Sequence, residues 1–310
     1  MKDDEVAELV SVSDAIGVLR TAFQQQLTGE ATSSPRNRMA TGTAFLHVLA
    51  GAVPGYFGYK AYVTSRVKSQ FMFFLFDSNT CEQVSIMEAD RLGQIRTGAA
   101  TGVATQSLAR EDVKVATIFG AGWQAESQLL AMDQVRNLSL VWIVNRDPER
   151  AERFIERMAP QVRAELKLAT SAEAAVRESR LVTTITTSRE PVLFGDWVAA
   201  GTHVNAAGGN IWLRREVDAD LVLNSEKLVV DSIEQARIEC GEFLPVLVPG
   251  RRHWDEVQEL KDIVAKRSGR ETSDERTLFK SLGIGLEDVA LGALIYERAK
   301  ARGVGRAVTF

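Results

Sequence analysis

Hydrophobic positions early in the chain keep a helical rhythm. Over residues 13–28, Ile16, Leu19 and Phe23 share one stripe, Ser13 or Asp14 is available as N-cap, and Gly29 fits the end. From Arg36 to about Ile86 the period shortens to alternation, in "TAFLHVLA", "YKAYVTSRV" and "QFMFFLFD", with Gly, Pro and polar turns between the runs, which predicts a sheet layer. "ADRLGQIRTGAATGVATQSLAR" then predicts a helix whose small residues allow close packing. From Val113 strand and helix alternate through "VKVATIFG", "WQAESQLLAMDQV", "SLVWIVN", "DPERAERFIERMAP", "ELKLAT", "SAEAAVRES" and "RLVTTITT", the pattern of a parallel sheet covered by helices. "THVNAAG" and "KLVVDS" add strands to that sheet, and the tail from Thr277 reads as a turn and a long helix.

The fold class is therefore α/β, and 310 residues give length for about two domains. A formal charge of -4, with 45% hydrophobic and 25% charged residues, describes an ordinary soluble protein without the basic surplus that nucleic acid requires. Small-molecule partners are expected. Cys81 and Cys240 lie far apart with no metal spacing, which suits a reducing cytoplasm, and both are expected to be packed thiols. The acidic N-terminus has no apolar signal core and no run of about 18 apolar residues occurs, so no membrane association is expected. His203 and His253 read as structural, no group of His, Cys, Asp and Glu has metal spacing, and no Ser has the His and Asp partners of a hydrolase.

Chemistry enters at "ATIFGAGWQAESQLL", where an apolar strand runs through a glycine loop into a helix. Gly120, Gly122 and Ala125 fill the three positions of a GxGxxA dinucleotide fingerprint: the tight turn, the close approach to the pyrophosphate, and close helix packing. The loop Gly120, Ala121, Gly122, Trp123 and Gln124 is thus the expected phosphate cradle, with Trp123 read most simply as packing. About 20 residues on, where an acid would hold the ribose hydroxyls of NAD, the chain offers Asn145 and Arg146. An arginine pairs with a 2′-phosphate, so NADP(H) is preferred with NAD(H) still open. Thr186 and Thr187, ending the fourth strand, are expected near the nicotinamide ribose.

Seven strings, "SPRNR", "YKAYVTS", "LFDSNTCEQVSIMEADRLGQIRTGAAT", "IFGAGWQA", "THVNAAGGN", "VVDSIEQARIECGE" and "TLFKSLGIGLEDVA", together resemble the ornithine cyclodeaminase/mu-crystallin family over nearly the whole chain. The resemblance implies a homodimer of two-domain chains. A Rossmann dinucleotide domain would span 112–284, and an α+β substrate and dimerisation domain would be built from 1–111 and 285–310. It also implies Lys60 as the active-site lysine, Arg36 and Arg96 as substrate-carboxylate arginines, and Ser281 and Gly283 near the nicotinamide. Two guanidinium groups hold a carboxylate, and a lysine of depressed pKa moves a proton at the reacting nitrogen. Arg38, two residues on from Arg36, is an alternative to Arg36 for holding the carboxylate.

The chain departs from the family at "AAGGNIW", where Asn210 stands in place of the aspartate of the cyclodeaminase and alanine dehydrogenase branches, and at His47, where the cyclodeaminase pattern has a glutamate. An amide orients an imine or a water but takes no proton at neutral pH. The function expected is therefore an NAD(P)H-dependent imine or ketimine reductase, or the equivalent amino-acid dehydrogenase, acting on a small imino, amino or keto acid. Lys60 and Asn210 would be its catalytic residues and His47 a substrate contact. The alternatives are ammonia-releasing cyclisation of ornithine with recycled NAD, and a non-catalytic binder of NADPH and a small carboxylate.

Overall fold

The computed structural model describes residues 1–266 and 269–308. The chain forms two compact units, Met1–Arg96 with Gly283–Phe310, and Thr97–Leu282. The helix Asp90–Leu108 crosses that division, whereas the sequence reading places a boundary at its far end, after residue 111.

The first unit holds a six-stranded antiparallel sheet made of β1 (Thr32–Ser33), β2 (Asn37–Thr41), β3 (Ala44–Val53), β4 (Tyr56–Ser65), β5 (Ser69–Asp77) and β6 (Gln83–Glu88). Its order is β1-β3-β4-β5-β6, with β2 also paired to β3. Alternation is the cause of the layer. Leu49, Lys60, Phe73 and Met87 stand side by side on one buried face, against which the helix Gly285–Arg302 packs. The helix Val12–Thr28 joins that packing, and its Asp14 is gripped by both terminal nitrogens of Arg298 at 2.8 and 2.7 Å. The cap of this helix is Ser11, not Ser13 or Asp14. Its hydroxyl accepts the Asp14 N–H while the Asp14 carboxylate accepts the Ser11 N–H, a reciprocal box that satisfies two orphan donors at once. Gly29 ends the helix in the left-handed region, as its position predicts.

The second unit is a Rossmann sheet. Its strands are β7 (Val115–Phe119), β8 (Leu140–Val144), β9 (Glu165–Leu168), β10 (Leu181–Thr184), β11 (His203–Ala206), β12 (Lys227–Val230), β13 (Val257–Glu259) and β14 (Thr277–Lys280). All are parallel in the order β13-β12-β14-β11-β10-β7-β8-β9, so the order reverses between β7 and β10. Ligands of such sheets bind outside the carboxyl ends of the strands at that reversal. The segment "TLFK" is a central strand between β11 and β12, not the turn expected of it. All four of its residues are buried, so it shows no alternation by which a strand could be read. Cys240 is buried, but Cys81 is exposed rather than packed, and both thiols are free. No described helix is long and apolar enough to cross a membrane.

Candidate active site

Each unit, taken by itself, holds one group of the side chains that the sequence singles out. In the first, Lys60 stands mid-strand in β4, opposite Leu49 and Phe73, and is 3% exposed. Its ammonium donates to Asp288 Oδ1 at 2.6 Å. Arg96, from the helix Asp90–Leu108, shares that oxygen through Nε at 3.0 Å and donates through Nη1 to Glu287 Oε2 at 2.9 Å. Glu287 and Asp288 are fully buried in the first turn of the helix Gly285–Arg302, where the helix dipole also favours acids. Arg36, also buried, donates from Nη2 to the Gly283 carbonyl at 2.9 Å.

Burial pulls the Lys60 ammonium down to about 8; the charges of Arg96 and Arg36 push the same way and Asp288 resists. Such a lysine is protonated at neutral pH yet close to releasing its proton. Burial also works against the charge of Arg96, but Asp288 and Glu287 outweigh it and hold that guanidinium above its ordinary value. With Arg36 and Arg38 the cluster keeps an excess of positive charge, which suits a carboxylate ligand.

His47 faces Arg38 across the β2/β3 pair, and its Nδ1 accepts from Arg38 Nε at 3.1 Å. That bond leaves Nε2 to donate to Thr64 Oγ1, also at 3.1 Å. Tyr62 stacks on the ring at 4.3 Å. Burial, then the charges of Arg38 and Arg36, pull the imidazole down to about 4, so it is neutral at physiological pH and acts here as the acceptor that holds Arg38.

In the second unit β7 delivers the glycine loop. Gly120 has φ +112, and a Cβ there would lie 2.6 Å from the Ile185 carbonyl oxygen, so no other residue fits without displacing backbone. Gly122 is the N-cap of the helix Trp123–Val135 and offers no capping side chain, while Ala125 is fully buried beneath. A helix start of this kind favours a phosphate by its N–H groups and its dipole. Trp123 is 45% exposed. After β8, Asn145 Nδ2 donates to the Asp147 carbonyl at 2.8 Å, Arg146 is exposed, and Asp147 caps the helix Pro148–Met158.

Sequence reasoning missed Arg150, whose Nε donates back to the Ala121 carbonyl at 3.2 Å, bringing a guanidinium to the glycine loop. The available signal was its place in a first helical turn, where long side chains lean towards the N-terminus. Thr186 and Thr187 lie just beyond β10, half-buried and exposed; Asn210 is half-buried beyond β11. Ser281 follows β14 and donates its N–H to the Ala206 carbonyl at 3.1 Å. No described group of three His, Cys, Asp or Glu side chains is disposed to hold a metal.

The sequence model of the ornithine cyclodeaminase/mu-crystallin family matches residues 1–303. The Delta(1)-pyrroline-2-carboxylate reductase of Bacillus cereus is 34% identical over 238 residues, 76% of this chain and 73% of that one. Among solved structures, the Thermococcus litoralis Delta(1)-pyrroline-2-carboxylate reductase in complex with NADH and L-proline superposes with a TM-score of 0.94 at 33% identity, covering 99% of each chain. An archaeal alanine dehydrogenase dimer with bound NAD gives a TM-score of 0.93 at 28% identity over 100% of this chain and 98% of the other.

Proposed function

This chain belongs to the ornithine cyclodeaminase/mu-crystallin family, and on that premise we propose that it is an NAD(P)H-dependent reductase of small α-imino acids, with a cyclic imine carboxylate of the pyrroline or piperideine type as substrate. The observation that carries the reading is Lys60, a buried ammonium brought close to release and set among arginines. Arg36 and Arg96 hold the carboxylate next to the C=N carbon by charge-assisted bonds, which fixes that carbon. A dinucleotide held at the glycine loop would supply the hydride. Lys60 gives its proton to the imine nitrogen, so C=N becomes CH–NH, and the neutral amine is re-protonated from solvent. Asp288 keeps Nζ aimed while this happens. With oxidised cofactor and an amino acid the same groups run the reaction in reverse.

Gly120, Gly122 and the helix start behind them fit a pyrophosphate. Arg146 and Arg150 present two guanidinium groups at the end of β8, where the acid available, Asp147, is engaged as a cap, and this supports NADPH over NADH. Asn210 cannot act as the base for water, which argues against release of ammonia. We assign substrate binding and dimerisation to 1–111 with 285–310, and dinucleotide binding to 112–284. A homodimer is supported by the sheet face opposite the helix Gly285–Arg302. There Phe57 stacks on Phe76 at 5.5 Å and Tyr59 on Phe74 at 4.8 Å, and Phe57 is 38% exposed.

A screen of cyclic imino acids, and of keto acids with ammonia or methylamine, run separately with NADH and NADPH, tests the reading. Cyclic imino acids with NADPH are expected to give the highest kcat/KM. Turnover confined to a keto acid with ammonia would make the protein an amino-acid dehydrogenase of different specificity, and binding of NADPH without any turnover would make it a binder.

A further inference from the structure

Below the carboxyl ends of the second unit's strands lies a charged group that the reduction does not use. Glu216, Glu242 and Lys280 are 0%, 2% and 0% exposed. Glu216 Oε1 accepts the Thr186 N–H at 2.5 Å; Oε2 accepts the Gly208 N–H at 2.6 Å and the Thr184 hydroxyl at 3.0 Å. Its own carbonyl accepts the Val192 and Leu193 N–H groups at 2.8 and 3.0 Å. One residue thereby fastens both loops that leave β10 and β11. A Cβ on Gly208 would strike the Glu216 carboxylate and the Thr186 backbone, so the loop is built around that contact. The Glu216 N–H donates to Glu242 Oε1 at 3.3 Å, and Lys280 Nζ donates to the same oxygen at 3.2 Å. Lys280 ends β14, directly before Ser281.

Two segments expected at the cofactor site, Thr186–Thr187 and Ser281, and a third, Gly208–Asn210, that carries the expected catalytic Asn210, are thus tied to one buried knot of two carboxylates and an ammonium. Burying charged groups is costly and a poor way to stabilise a fold, which favours a geometric use for the knot. The segments flank the reversal of strand order, whereas the glycine loop, which takes the pyrophosphate, meets them where Gly120 packs on the Ile185 carbonyl, not through a described hydrogen bond to the three charged groups. We propose that Glu216 is a positioning residue for the nicotinamide half of the dinucleotide, acting through Thr186 and Gly208 without touching the cofactor. This rests on the dinucleotide reading above.

Glu216→Gln keeps the size but turns one end into a donor, which must face an N–H or hydroxyl that now lacks its acceptor. Dissociation constants for NADPH and for 2′-phospho-ADP-ribose, which lacks nicotinamide, are measured by calorimetry on both proteins, with the melting temperature as a check. The variant is expected to bind NADPH at least about tenfold more weakly while 2′-phospho-ADP-ribose stays within about threefold. Equal losses for both ligands, or none for either, would overturn the inference. Should the Gln variant not fold, Glu216→Asp, one methylene short of its donors, must give the same split. Should the unmodified protein bind NADH in place of NADPH, the same split is read with NADH and ADP-ribose; failure to bind any of these four ligands would instead overturn the dinucleotide reading and the inference with it.

Discussion

Lys60 meets two demands at once, being buried deeply enough to lose its grip on the proton and paired closely enough to keep its aim. Reduction needs the protonated form, so the rate is expected to be level below about 8 and to fall as pH rises through that value. Asp288→Asn removes the charge that holds the lysine up, and the falling limb of the pH–kcat profile should move to lower pH; an unmoved limb would separate Asp288 from the proton donor. Lys60→Met should cut turnover by about 10²-fold or more with NADPH binding intact, as read by steady-state kinetics beside fluorescence titration. Arg36→Lys gives up the planar fork, and KM for the imino acid is expected to rise by about tenfold with kcat less affected. Lys60 and the arginines were legible only through the resemblance, because an isolated strand lysine or surface arginine has no local signature. Their partners Glu287 and Asp288 were not singled out, since nothing in the sequence shows a contact such as that of Lys60 with Asp288 across 228 positions.

At the scale of elements, the glycine loop was legible because its demands are local: a strand, a turn with positive φ and a helix start within a dozen residues. Gly120→Ala forces a Cβ onto the Ile185 carbonyl and is expected to cost about 1–3 kcal/mol of stability and to weaken dinucleotide binding, measured by thermal unfolding and NADPH titration. The strand "TLFK" was not legible, because four fully buried residues carry no period. The helix Val12–Thr28 was correctly placed yet wrongly capped, since Ser11, Ser13 and Asp14 are all competent caps and only the Ser11–Asp14 reciprocity decides between them. Glu216 had no sequence signal, as its role is to join loops that meet only in the fold.

For the molecule as a whole, alternating runs followed by strand–helix repeats were enough to place a sheet layer ahead of a parallel sheet in the chain, because each period survives in the sequence without tertiary information. The aromatic face of the first unit has a consequence at this scale. Phe57→Glu places a charge there and is expected to give monomers of unchanged circular dichroism by light scattering, with the unmodified protein expected to run as a dimer. The central claim, reduction of a C=N bond beside a carboxylate, is tested most directly by stoichiometry. With Δ1-pyrroline-2-carboxylate and NADPH, one NADPH should be oxidised for each proline formed and no ammonia released; ammonia released from ornithine with only a catalytic quantity of NAD would contradict it.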